Sequence, residues 1–139
     1  MINFKKLDDS LVSLGIGQKA LIIKWLDEMN VKIYTINNDY TIDVNCNVYL
    51  DSKGLGKFPD YIKFGRVGGS FFCSGNQLIS LEGCPEKVAS RFYCDCNQLM
   101  SLKGCPSLVY GNFYCKNNKK QFCEEEVREV CNVIGNIYV

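Results

Sequence analysis

The chain contains no histidine, so the most frequent general base and the most frequent catalytic metal ligand are both missing. Its nine cysteines include no Cys-x-x-Cys pair, which removes the usual spacing of structural zinc sites. A phosphate-binding loop is absent as well, since Gly54-Leu55-Gly56-Lys57 lacks the strand-to-helix setting that such a loop requires. No pair of carboxylates stands out from the solvated background. These absences point away from an enzyme and toward a protein with no metal and no cofactor.

An excess of charge of one sign is also missing. Sixteen basic residues against fifteen acidic ones give a net charge of +1, and affinity for phosphates usually needs a basic face, so nucleic acid is an unlikely partner. The most apolar stretch, Ala20–Leu26, is short and carries Lys24, which excludes a membrane span by that segment. Residues Met1–Asp9 lack the uninterrupted apolar run of a signal peptide. Nine cysteines without an export signal imply a reducing cytoplasm, and an odd count excludes complete pairing within one chain.

What the chain does have is a repeat. The segment Ser70–Pro85 returns 21 residues later as Arg91–Pro106, and it starts a third time at Asn112-Phe113-Tyr114-Cys115-Lys116-Asn117-Asn118 before breaking off. A fixed period of this length is the signature of a solenoid, in which each unit buries its apolar side on the next. The two full copies share the pattern Val-x-x-x-Phe-x-Cys-x-x-Asn-x-Leu-x-x-Leu-x-Gly-Cys-Pro. Its Phe-x-Cys-x-x-Asn-x-Leu core resembles the leucine-rich repeat, with Asn76, Asn97 and Asn118 at the asparagine position. The Leu-x-x-Leu-x-Gly-Cys-Pro continuation is similar to the short subtype of bacterial effectors and of small bacteriophage-encoded repeat proteins.

The resemblance covers about residues 67–118. It implies a leucine-rich-repeat-like solenoid, and a small stand-alone binder that blocks a host enzyme or defence complex, as an anti-CRISPR or other anti-defence protein does. The effectors carry ubiquitin-ligase activity in a further domain, and nothing in this chain is long enough to be one.

The Val-x-x-x-apolar-x-apolar element extends beyond the evident copies. It recurs at Val44, Val67, Val88, Val109 and Val133, in steps of 23, 21, 21 and 24 residues, and predicts five short parallel strands. The remaining chain reads as caps. Gln18–Met29 has the apolar spacing of an amphipathic helix, Val31–Ile36 and Tyr40–Val44 flank a hairpin turn, and Glu124–Cys131 reads as a second helix. For that second helix the expected buried set is Phe122, Cys123, Val127, Val130, Cys131 and Ile134. The fold class is thus an α+β repeat, with residues 1–43 as an N-terminal cap, 44–120 as the solenoid and 121–139 as the C-terminal helix and strand.

Alternation along a strand separates core from surface. Phe71, Phe92 and Phe113 face inward, with Cys73, Cys94 and Cys115 as small apolar core residues. The outward positions read Tyr49, Phe72, Tyr93, Tyr114 and Tyr138, an aromatic stripe on the order of 20 Å long at the usual strand spacing. Polar residues flank it, among them Asn47, Ser70, Arg91, Asn112 and Asn136 on one side and Asp51, Ser74, Asp95 and Lys116 on the other. Aromatics favour strands for packing reasons alone, but rigid aromatics with polar tips also make protein-binding surfaces. The expected site is therefore a protein-binding face with the five aromatics as anchors and Arg91, Asp95 and Lys116 setting register. Three alternatives stay open: single-stranded RNA stacked on the same rings, a thiol activity at Cys96, and a homodimer through the C-terminal edge strand.

Overall fold

The computed structural model describes residues 17–139. The readings made on Met1–Asp9 lie outside the described residues. The first element of the described residues is helix α1 (Gln18–Glu28), whose Leu21, Ile22, Trp25 and Leu26 are buried, as the apolar spacing predicts. Asn30 ends it in the left-handed region at φ 61°, and the Val31 N–H closes back on the Leu26 carbonyl at 2.8 Å. A hairpin follows, formed by β1 (Thr35–Ile36) and β2 (Ile42–Val44) in antiparallel register. Its first strand is shorter than the sequence suggests, because only Thr35 and Ile36 pair with β2.

The solenoid proper makes five turns, and each turn contributes two short strands. The first sheet takes β2, β4 (Phe64–Val67), β6 (Lys87–Val88), β8 (Leu108–Val109) and β10 (Asn132–Val133), with β1 added at one edge. The second takes β3 (Val48–Tyr49), β5 (Phe71–Phe72), β7 (Phe92–Tyr93), β9 (Phe113–Tyr114) and β11 (Ile137–Tyr138). All pairs except β1 with β2 are parallel. The single strand per turn expected from Val-x-x-x-Phe is therefore two strands separated by a corner. The reason is visible at Gly69, Gly111 and Gly135, where a Cβ would run into the preceding turn at Asn47, Ser90 and Gly111 respectively. The backbone bends there, and the turns come too close for a side chain.

The interior is a set of columns. Phe71, Phe92 and Phe113 are fully buried and lie over one another, at centroid distances of 5.9 and 5.3 Å. Trp25 closes the N-terminal end of this column against Phe58 and Phe64. Burying each such ring is worth about 1.5–3 kcal/mol. Cys73, Cys94 and Cys115 are buried in the same layer, and burial pushes the Cys73 and Cys94 thiols well above their ordinary range. All three serve as small apolar packing groups.

A second column is polar. The buried Asn97 accepts the Leu78 N–H at 3.0 Å and donates to the carbonyls of Cys73 and Cys94 at 3.0 and 3.1 Å. Asn76 does the same one turn earlier, taking the N–H groups of Lys53 and Leu55 and donating to the Leu50 and Cys73 carbonyls. Asn118 repeats the pattern with the Leu99 N–H and the Cys94 carbonyl. Each amide thus satisfies backbone groups of its own turn and of the one before.

Next to this column the chain turns through the left-handed region once per turn, at Ser52, Gly75, Cys96 and Asn117, with φ between 51° and 68°. The loop beyond it is closed by Gly83 and Gly104, at φ 99° and 87°. Helix α2 (Glu124–Val130) then leads into the fifth turn and lies against its strands β10 and β11. Its first turn is acidic, and the Glu126 carboxylate accepts the Cys123 N–H at 3.2 Å. Phe122, Val127 and Cys131 are buried as expected. Cys123, Val130 and Ile134 are exposed instead: the seven-residue helix buries only Val127 of its own residues, and Ile134 follows the inward Val133 of β10 and so turns outward.

Two stability predictions follow from the backbone. A Cβ at Gly104 would meet the backbone of Leu81 and Glu82, in addition to the positive φ, whereas one at Gly56 would meet nothing within 4 Å. Gly104→Ala is expected to lower unfolding stability in urea by at least about 2 kcal/mol, and Gly56→Ala to change it by less than about 0.5 kcal/mol. Cys96 holds a left-handed conformation without being glycine. Relieving that strain with Cys96→Gly should raise the urea midpoint, by about 0.5–1 kcal/mol in stability, and the β-branched Cys96→Val should lower it.

Candidate functional site

Strand register places the outward residue of each second-sheet strand directly over that of the last. Tyr49 pairs with Phe72, Phe72 with Tyr93, Tyr93 with Tyr114, and Tyr114 with Tyr138. The rings follow the backbone and stack face to face, at centroid distances of 4.9, 4.7, 4.4 and 4.9 Å and interplanar angles of 14°, 8°, 7° and 12°. Offset stacks of this kind are worth about 0.5–1.5 kcal/mol per pair beyond the area they bury. The five aromatics singled out from the sequence thus form one continuous column on the outer face of the second sheet.

Stacking has a cost in exposure. Tyr49 at one end is 60% exposed and Tyr138 at the other 38%, while Phe72, Tyr93 and Tyr114 are half-buried between their neighbours. The inner three present ring edges to solvent, and their faces are taken up by one another. Only the two end rings have an outer face without a ring of the stack on it.

Side chains two residues upstream fix the phenols. Asn47 donates to the Tyr49 hydroxyl at 2.9 Å, Arg91 to that of Tyr93 at 3.4 Å and Asn112 to that of Tyr114 at 3.2 Å. The Arg91 guanidinium is pushed above its ordinary pKa, first by that bond to Tyr93 and then by the charges of the Tyr93, Tyr114 and Tyr138 phenols. The same flank also ties the turns together, since the Asn47 and Asn112 side chains accept the N–H groups of Ser70 and Asn136 at 2.7 and 2.9 Å. Ser70, expected to face outward, is buried: its hydroxyl accepts the Arg91 N–H at 3.0 Å and fills the corner.

The opposite flank behaves alike. Asp51 accepts the Ser74 N–H at 2.9 Å, and Asp95 accepts the Lys116 N–H at 2.6 Å. Burial raises the pKa of both carboxyls, against the lowering effect of these bonds and, for Asp95, of the Lys116 charge. Asp95 therefore has a structural task besides lying beside the stripe. Arg91 and Lys116 are exposed at its margins.

Cys96 is exposed at the left-handed corner next to Asp95. The Asn117 amide lies 3.8 Å from its Sγ and supplies neither a base nor a positive charge. The described residues hold no group of three His, Cys, Asp or Glu side chains placed to bind a metal ion. No helix among the described residues is long and apolar enough to cross a membrane.

Every ring of the column was legible in the sequence and, Ser70 apart, so were its flanks. Sequence reasoning missed that the flanking Asn, Ser and Asp side chains are bonded to the following turn, although the recurrence of short polar residues at those positions was a signal for it. No protein-family model matches the chain, and no curated protein or solved structure matches it either.

Proposed function

We propose that the chain is a non-enzymatic binding module that engages a protein partner through the outer face of the second sheet. Tyr49, Phe72, Tyr93, Tyr114 and Tyr138 are its anchors, with Arg91, Asp95 and Lys116 at the rim. The observation that carries this reading is the unbroken five-ring stack, with centroid steps of 4.4–4.9 Å. Association normally costs about 0.5–1.5 kcal/mol for each flexible side chain that must be immobilised. Rings already held by their neighbours and by Asn47, Arg91 and Asn112 lose little on binding.

The same geometry disfavours the RNA alternative. Base stacking needs a free ring face, and the three inner rings have theirs against one another. A net charge of +1 adds no electrostatic term in its favour. The partner is thus a protein surface that meets ring edges and phenol hydroxyls, and the resemblance to bacteriophage-encoded repeats makes a host enzyme or defence complex in the cytoplasm the partner of choice. Binding there would inhibit by occupying the partner's surface.

The double variant Tyr93→Ser/Tyr114→Ser tests the reading. Proteins retained from host lysate by the wild-type chain should be lost, with affinity for a purified partner falling at least about thirtyfold, the scale of one interface hot spot. A single cooperative melting transition, lowered by the three lost ring pairs, would show that the fold survives. Full retention of the same partner by the folded double variant would remove the stripe as the site.

A further inference from the structure

The two sheets do not have the same number of strands. Among the described residues the first has six and the second five, because β1 adds to the first sheet beside β2 and no described residue adds to the second beside β3. The rung opposite β1 is open, and a groove of about 290 Å³ lies there between Met29–Ile33 and Val44–Tyr49. Three properties of this groove suit it to an extended chain.

The first is the edge itself. The Val48 and Leu50 N–H groups reach the carbonyls of Ser70, just before β5, and of Phe72 within it, at 2.9 and 2.7 Å. Peptide groups alternate along a strand, so the N–H and C=O of Tyr49 point the other way, over the groove, and no backbone partner for them is found among the described residues. The second is the end of the stack. Tyr49 is the most exposed of the five rings, at 60%, and its outer face carries no ring. The third is the lining. Val31, Val44 and Val48 give an apolar floor, while Lys32 and Lys53 line the groove with no carboxylate among its lining residues.

We propose that this groove binds an extended peptide segment that adds to β3 as a sixth strand of the second sheet. An apolar side chain of the segment enters the groove, the next residue is aromatic and stacks on Tyr49 as a sixth ring, and a neighbouring carboxylate meets Lys53. Of the two lysines that line the groove, Lys32 already pairs with Asp27 at 2.7 Å, which leaves Lys53 for the carboxylate. Strand addition supplies the affinity through main-chain bonds, and the two side-chain positions supply the selectivity. The chain's own repeat shows the pattern that fits, since every rung already in place has an apolar residue followed by an aromatic one: Val48-Tyr49, Phe71-Phe72, Phe92-Tyr93, Phe113-Tyr114 and Ile137-Tyr138.

The site is separate from the middle of the stripe, so its test is independent of the preceding proposal. The probe is a blocked pentapeptide, Asn-Ile-Tyr-Val-Glu, which copies Asn136–Val139 and adds one carboxylate, titrated into the full chain and followed by amide NMR. Shifts are expected at residues 29–33 and 46–50, with slowed hydrogen exchange at the Tyr49 amide. Tyr49→Ser and Lys53→Glu should each weaken binding at least tenfold, a peptide with Ser for Tyr should bind at least tenfold more weakly, and Tyr93→Ser/Tyr114→Ser should bind as the wild type does. Binding that leaves residues 46–50 unshifted, equal affinity for the serine peptide or for Tyr49→Ser, or no binding at millimolar peptide would each overturn the proposal.

Discussion

Everything on the surface of this molecule depends on the bonds that hold one turn in register with the next. The amides of Asn76 and Asn97, both buried, and of the half-buried Asn118 are the most demanding of these. Each satisfies several backbone groups drawn from two turns. Leaving any one of those groups unpaired would cost about 1–3 kcal/mol. A slip of one residue would break all of them together and would also turn the aromatic column inward.

With the register fixed, the two columns of rings follow. The inner phenylalanines fill the core, and the outer aromatics stack because the backbone sets them one strand spacing apart. The flanking Asn, Ser and Asp side chains belong to both systems at once. Asn47 and Asn112 hold a phenol with one atom and the next turn with another, so the surface and the scaffold share parts. Substitution on these flanks would disturb fold and surface together, whereas Arg91 and Lys116 extend their charges to solvent and are freer to change.

Much of this was legible in the sequence. The 21-residue step, the five valines and the recurrent asparagine pointed to five turns, to the core phenylalanines and cysteines and to the outward aromatics. The division of each turn into two strands was not, because the four-residue step from Val88 to Phe92 keeps both facing inward whether the segment is straight or cornered. The glycines at 69, 111 and 135 were the only hint of the corner, and Ser90 replaces one of them. Parity along a strand shows that Tyr93 and Tyr114 leave the core. It does not show that their faces meet at 4.4 Å and leave only edges outside. The open rung beside β3 is a property of topology alone, visible once the strands of the two sheets are matched.

The inter-turn arrangement has a thermodynamic consequence for the stripe. In a linear array each unit is stabilised only by its neighbours, so folded length is itself a fluctuating quantity and the end units open at lower free energy than the middle ones. Tyr138 lies on the outermost strand of the second sheet and, among the described residues, has a single ring neighbour, Tyr114. A ligand spanning all five rings recognises only the population in which all five turns are closed at once, and its binding energy is shared as cohesion between them. Occupancy of the face would thus turn a row of weakly coupled units into one cooperative block.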